Sequence, residues 1–115
     1  MGVEYSTSIA WGIEVENKSL SNYLPGWKDD RWTSTFEFCR DSYPLLEFIE
    51  AGDNWSGPER WVLVISSTLE DISEESGIFK FREPSDEERL QFSEAYVRLT
   101  GEAKEAERIA VGHIF

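Results

Sequence analysis

The sequence predicts an α+β fold: a single antiparallel sheet of about four strands, with one long helix from the C-terminal half packed on it. Residues 3–16 alternate between apolar and small or polar side chains, which is typical of a strand with one buried face. An apolar run follows at 61–69, and an apolar repeat with a period near 3.6 follows a helix-capping motif at Ser85. A chain of 115 residues has the size of one domain, so 1–115 is expected to fold as a single unit.

The first strand is the clearest element. One face is expected to bury Val3, Tyr5, Thr7, Ile9, Trp11, Ile13 and Val15. Clean alternation favours an antiparallel sheet, because strands of parallel sheets are apolar on both faces. After this strand, Ser19 is expected to cap a single helical turn that reaches Tyr23 and ends at Leu24-Pro25-Gly26.

The middle of the chain predicts a β-hairpin. Residues 33–43 fit either a short strand or two helical turns, and we favour the helix. Residues 45–51 are expected to form a short strand, and 52–58 (GDNWSGP) a turn. The most apolar strand, 61–69 (WVLVISSTL), is then expected to return beside it as the central strand of the sheet.

The long helix has defined ends. Ser85 and Glu88 form a capping box at its start, and Gly101 ends it. Its apolar positions are Leu90, Phe92, Tyr96, Val97 and Leu99. A last strand is expected at 108–115. The predicted core between sheet and helix consists of Trp11, Ile13, Trp61, Leu63, Ile65, Phe92, Tyr96 and Leu99.

The charge is strongly acidic and unevenly distributed. Eight of the 23 carboxylates lie within residues 70–88, against only Lys80 and Arg82, so this segment carries −6 of the net charge of −12. Such a segment repels nucleic-acid phosphates and membrane surfaces and attracts basic proteins. The 11 basic residues are scattered along the chain, which disfavours direct nucleic-acid binding.

The residues that usually carry catalysis are sparse. The one cysteine, Cys39, lies in an apolar context that is typical of a buried structural thiol, and the one histidine, His113, lies in the last predicted strand. No second histidine or cysteine stands at metal-ligand spacing, so neither a metal nor a cofactor is expected. The N-terminus lacks the pattern of a signal peptide, and no apolar stretch is long enough to span a membrane, so we expect a cytoplasmic protein.

These observations predict a non-enzymatic, acidic protein-binding module whose partner is a basic protein surface. The expected contact surface combines carboxylates with tryptophans: Glu70, Asp71, Glu74, Glu75, Glu83, Asp86, Glu87, Trp27, Trp32 and Trp55. For Trp27, Trp32 and Tyr23, filling the core at the open end of the sheet is favoured over anchoring a partner.

Two other functions stay open. Rows of carboxylates can imitate DNA, which would make the protein an inhibitor of a nucleic-acid-binding protein. A buried carboxylate pair with separated pKa values would instead support an enzyme of unknown class. The sequence does not specify an oligomeric state.

The segments VEYSTSIAWGIEVE and AGDNWSGPERWVLVISSTLE resemble parts of small uncharacterised proteins of bacteriophages and actinobacteria. In that group an alternating first strand is followed by a GD-x-x-SG hairpin and a further strand. The resemblance implies an accessory or host-modulating role as a phage protein. It transfers no activity and no functional residues.

Overall fold

The computed structural model of the protein describes residues 5–53, 60–72 and 82–114. Its elements in chain order are β1 (Tyr5–Val15), α1 (Asn17–Tyr23), α2 (Arg31–Ser42), β2 (Leu46–Asp53), β3 (Arg60–Ile65), a 3-10 turn (Ser66–Thr68), β4 (Glu70–Asp71), α3 (Asp86–Thr100) and β5 (Glu107–Ile114). The α+β class is confirmed. Over the described ranges there are five strands where about four were expected, and α3 is the expected long helix, accompanied by the shorter helices α1 and α2.

The sheet is arranged around β1. One edge of β1 pairs antiparallel with β5 over residues 5–12, and the other pairs with β4 at residues 8–9 and with β3 at residues 12–15. β2 pairs antiparallel with β3, and its last two residues meet β5 in parallel. The pairings of β1, β3, β2 and β5 therefore close into a ring, with one parallel contact that the prediction of a purely antiparallel sheet did not include.

The core occupies both faces of this sheet: β3 has β1 on one side and β2 on the other, and all its residues after Arg60 are buried. The face covered by helices contains the predicted core: Trp61, Leu63, Ile65, Phe92, Tyr96 and Leu99 are buried, with Trp11 and Ile13 packed against them. A smaller cluster on the opposite face contains Ala10, Val62, Val64 and Val111. The central position predicted for 61–69 is thus confirmed for its first half.

The second half of that predicted strand is not extended. β3 ends at Ile65, and the chain turns at Ser66–Thr68. The Thr68 hydroxyl donates to the Ile65 carbonyl oxygen at 2.7 Å and accepts from the Trp11 backbone N–H at 2.9 Å. The Thr68 side chain therefore accepts the backbone hydrogen bond from β1 that a continued β3 would have accepted. Hydrophobicity alone does not reveal that a side chain replaces the strand here.

The first two helices differ from the prediction at their starts. α1 begins before Ser19; Glu16 is its N-cap residue and makes no side-chain capping bond, so the burial of Leu20 holds the helix instead. α2 confirms the helical interpretation of residues 33–43. It begins at Arg31 because the Asp30 carboxylate at the N-cap accepts the Thr33 backbone N–H at 3.1 Å.

β2 is longer than predicted and includes Gly52 and Asp53. The rest of the predicted turn at 52–58 lies outside the described residues. The description resumes at Arg60, where β3 begins.

α3 agrees closely with its sequence signals. Both bonds of the capping box between Ser85 and Glu88 are present, and Gly101 ends the helix with a φ of 77°. Leu90 and Val97, which the periodic pattern included, face solvent. None of the described helices is both long and apolar enough to cross a membrane.

Candidate functional site

Two aromatic side chains of α2 project from the protein surface. Trp32 and Phe36 are four residues apart and therefore lie on one face of the helix. Their exposed fractions are 62% and 63%, although most of the other large aromatic residues described are buried or half-buried. The neighbouring face of α2 carries Thr35 and Cys39, both buried against the sheet. The helix thus presents an aromatic ridge beside its own core contact.

A cavity of about 460 Å³ lies between this ridge and the sheet. We call it the aromatic groove and define it by six of its lining residues: Trp32, Phe36, Cys39, Glu47, Phe48 and Trp61. Cys39 and Trp61 are buried and form its floor. Pro44, where the chain passes from α2 to β2, also lines it. A groove of this volume can hold one or two amino-acid side chains.

The aromatic rings around the groove support one another. The Trp61 ring centroid lies 5.0 Å from that of Trp32, 5.5 Å from that of Trp27 and 6.4 Å from that of Phe48. All three pairs are close to perpendicular, the edge-to-face arrangement that aromatic rings favour. Trp32 is therefore held against a buried ring although most of its surface is exposed.

The groove contains two charged residues with different surroundings. The Arg40 side chain is paired with Asp41, at 2.8 Å between Nε and Oδ1, and its guanidinium lies 5.4 Å from the centroid of the Phe36 ring. Glu47 on β2 is half-buried. Because side chains alternate along a strand, the Glu47 side chain lies on the opposite face of the sheet from Leu46 and Phe48, the face that carries Val64.

Cys39 has the properties of a core residue. Burial, assisted by the negative charge of Glu47, raises the pKa of its thiol to about 12. The thiol therefore stays protonated near neutral pH, and the thiolate needed by a nucleophile or metal ligand does not form. Among the described residues, no group of three or more His, Cys, Asp and Glu side chains could hold a metal ion. His113 lies in β5, and its side chain is outside what the structure describes.

The carboxylates predicted from the acidic segment gather at one end of the fold. We call this the acidic end and define it by the described, exposed members of the predicted set: Glu70, Asp71, Glu83, Asp86 and Glu87. The first two lie in β4 and the others at the start of α3. The two segments are joined because Ser67, in the turn before β4, donates a hydrogen bond to the buried Glu88 carboxylate.

The described residues include only part of the predicted surface, and one of those included is ion-paired. Glu74, Glu75 and Trp55 lie outside the described residues. Glu83 is exposed but forms an ion pair with Arg89, at 3.2 Å between Oε2 and Nη2. Such an exposed pair contributes little to stability, yet it reduces the charge available to a partner.

Trp27 corrects the expectation that it anchors a partner. Only 4% of this residue is exposed, and its ring packs edge-on against Trp61 in the core cluster. Gly26, with a φ of 81°, allows the tight turn that folds the residue inward. Of the two roles considered, core filling applies to Trp27, while Trp32 is mostly exposed.

Two residues of the groove were missing from the predicted surface. Phe36 follows Trp32 by four positions, so it would have been found once 31–42 had been read as a helix. Glu47 belongs to a strand that is distant in sequence from α2, and no local pattern brings it to the groove.

No family of proteins, no curated protein and no solved structure matches this chain.

Proposed function

We propose that the protein is a non-catalytic binding module for a basic partner protein, with the aromatic groove as the centre of contact and the acidic end beside it. The observation that carries the proposal is the exposure of Trp32 and Phe36 above 60% at the border of a preformed groove. Large aromatic residues that are fixed in place and exposed are typical anchors of protein interfaces.

Covering this ridge would supply substantial binding energy. A buried tryptophan or phenylalanine hides on the order of 150–250 Å². Since Trp32 and Phe36 are more than half exposed, a partner could hide about 200 Å² of their apolar surface, roughly 5 kcal/mol before the costs of association are deducted. The ring contact between Trp32 and Trp61 lowers the ordering cost, because one anchor is already positioned.

One carboxylate of the acidic end, Glu87, lies near the groove, which supports a basic partner. The Leu45 backbone N–H, next to Pro44 of the groove, donates to the Gln91 side-chain oxygen of α3 at 3.3 Å. Glu87 of the acidic end lies one helical turn before Gln91, about 6 Å along the axis. A partner seated in the groove would therefore be close to the Glu87 carboxylate, and the net charge of −12 would accelerate its approach.

Affinity capture with matched variants tests the proposal. The wild-type protein and Leu90→Ala, whose exposed leucine on α3 lies away from the groove, should capture the same basic protein from a host lysate. The double variant Trp32→Ala, Phe36→Ala should lose it. Capture of the same protein by the folded double variant would contradict a role for the groove.

The exposed carboxylates of β4 and α3 are the observation that favours the second candidate, imitation of DNA. A DNA mimic occupies the groove in which its partner binds nucleic acid. Duplex DNA should then displace the captured partner from the protein in a competition assay. A partner that stays bound at saturating duplex DNA excludes the mimic and leaves the binding module.

A further inference from the structure

One edge of β5 is open over residues 109–112. The strand pairs antiparallel with β1 along its first edge, and β2 joins its second edge only at His113 and Ile114. Among the described strands, residues 109–112 therefore have a neighbour on one side alone. Every second residue of an antiparallel strand directs its backbone N–H and C=O away from the paired neighbour. This open edge thus presents hydrogen-bond donors and acceptors that suit a further strand.

A cavity of about 230 Å³ lies beside the open edge. Besides residues 109–112 of β5, it is lined by Glu14, Ala51, Arg60 and Val62. Four consecutive residues alternate their side chains between the two faces of a strand, so all four can line one cavity where it borders the edge of that strand. The cavity shares no lining residue with the aromatic groove and is therefore a separate site.

The open edge is unprotected. Proteins usually guard such an edge with lysine, proline or an inward-pointing charge, and residues 109–112 (IAVG) contain none of these. Ala110 and Gly112 are exposed, and a Cβ atom on Gly112 would meet none of the described atoms within 4 Å. An approaching strand would therefore meet no side-chain obstacle here.

The interior of the cavity suits small apolar side chains. Val62 and Val111 are buried in its wall. Arg60 is neutralised by Glu14, at 3.0 Å between Nε and Oε2, so the wall offers no uncompensated charge. The volume accommodates about two small side chains.

On these grounds we infer that the open edge of β5 binds an extended, basic segment of a partner protein as an added strand, with small apolar side chains of that segment in the cavity. Hydrogen bonds to the backbone of β5 select an extended chain, and the cavity selects alternate side chains. The inference goes beyond the proposed function, because binding through the aromatic groove does not require this site.

The charge around the cavity selects a basic segment. The two strands that flank it carry three carboxylates against the one guanidinium of Arg108: Glu47, Glu50 and Glu107. A second copy of this chain is disfavoured as the added strand, because each copy carries a net charge of −12.

The probe is the blocked peptide acetyl-Lys-Val-Lys-Val-Lys-amide. One control peptide is N-methylated at its three central residues, which keeps the side chains and the charge but removes backbone donors; the other has glutamate in place of lysine. In NMR titrations of the full chain, the probe should shift the amide signals of residues 109–112 and slow their hydrogen exchange. Each control should bind at least about tenfold more weakly. Absence of binding, or equal affinity of either control, overturns the inference.

A filled cavity provides the matched test on the protein. Ala51→Phe should abolish binding of the probe, whereas Ala103→Phe, at an exposed position between α3 and β5, should keep it. Unchanged binding by folded Ala51→Phe rejects the cavity; if that variant does not fold, the N-methylated peptide decides. Light scattering should find the free protein monomeric, and a dimer that Ala51→Phe dissociates would assign the edge to a second copy and overturn the inference.

Discussion

At the scale of single residues, Glu88 joins two parts of the fold. Only 5% of it is exposed, and its two carboxylate oxygens accept from the Ser67 hydroxyl and from the Ser85 backbone N–H. Burial by itself raises the pKa of Glu88, but the hydrogen bonds from Ser67 and Ser85 outweigh it and hold the pKa below the ordinary value of 4.5. The ionised form is therefore the one that stabilises the native protein.

This residue gives a pH-dependent prediction. Because the folded pKa is depressed, the stabilisation is fully present above the unfolded value and is lost as pH falls through the folded value. Glu88→Gln should lower the free energy of unfolding by about 1–2 kcal/mol at pH 7. The difference from wild type should shrink below about pH 4.5. Denaturant titrations from pH 7 to pH 3 measure it, with exposed Glu87→Gln as the control; a difference that is constant with pH contradicts the assignment.

Gly12 is required by the close approach of two strands. A Cβ atom at this position would lie 2.3 Å from the Leu63 carbonyl oxygen and 2.8 Å from a methyl carbon of Val64. The obstruction includes backbone, which cannot rotate away, so Gly12→Ala should destabilise the protein by about 1–3 kcal/mol. Gly112→Ala is the matched control, because a Cβ there meets none of the described atoms within 4 Å. Equal thermal stability of the two variants would show that β1 and β3 can separate without loss.

At the scale of elements, the sequence predicted correctly those helix ends that are determined by neighbouring residues. The capping box of α3 and its terminal glycine are encoded within a few residues, and both are present. The start of α1 and the end of β3 depend on partners distant in sequence: Leu20 is fixed by burial, and Thr68 by the backbone of Trp11. β4, with two residues, is too short for any periodicity to reveal.

Phe92 tests the packing of α3 on the sheet. The residue is fully buried in the main core cluster, and its ring is stacked with Tyr96 at 6.1 Å. Phe92→Ala removes these contacts and leaves a cavity, so the free energy of unfolding should fall by about 3–5 kcal/mol. Leu90→Ala, on the exposed side of the same helix, should change it by less than about 0.5 kcal/mol. A loss below 1 kcal/mol for Phe92→Ala in denaturant titrations would mean that α3 is not anchored through this face.

At the scale of the whole molecule, the sequence predicted the acidic charge of the candidate site better than it predicted which residues form the site. Charge is additive along the chain, so an acidic segment was visible in the sequence, and five of its seven predicted surface carboxylates meet at the acidic end. The aromatic groove was not visible. It exists because α2 packs beside β2, and only that contact decides that Trp32 is exposed while Trp27 fills the core.

The acidic end and the groove should therefore contribute to binding in different ways. Carboxylates around a contact mainly accelerate the encounter with a basic partner, whereas anchors within the contact mainly determine how slowly it dissociates. A triple reversal, Glu70→Lys, Asp86→Lys, Glu87→Lys, adds two positive charges at each position and changes the net charge from −12 to −6. The association rate with the captured partner should fall about tenfold at low salt, with little change in the dissociation rate.

The control for this prediction has the same net charge but leaves the acidic end intact. Glu16→Lys, Glu102→Lys, Glu105→Lys reverses three exposed carboxylates that lie at the start of α1 and after α3. If position matters beyond total charge, stopped-flow measurements should show a smaller loss of association rate for this variant, and the gap between the two variants should close as salt shortens the range of the field. Equal losses of association rate in the two variants would mean that the acidic end acts only through the net charge of the protein. Binding specificity would then rest on the aromatic groove alone.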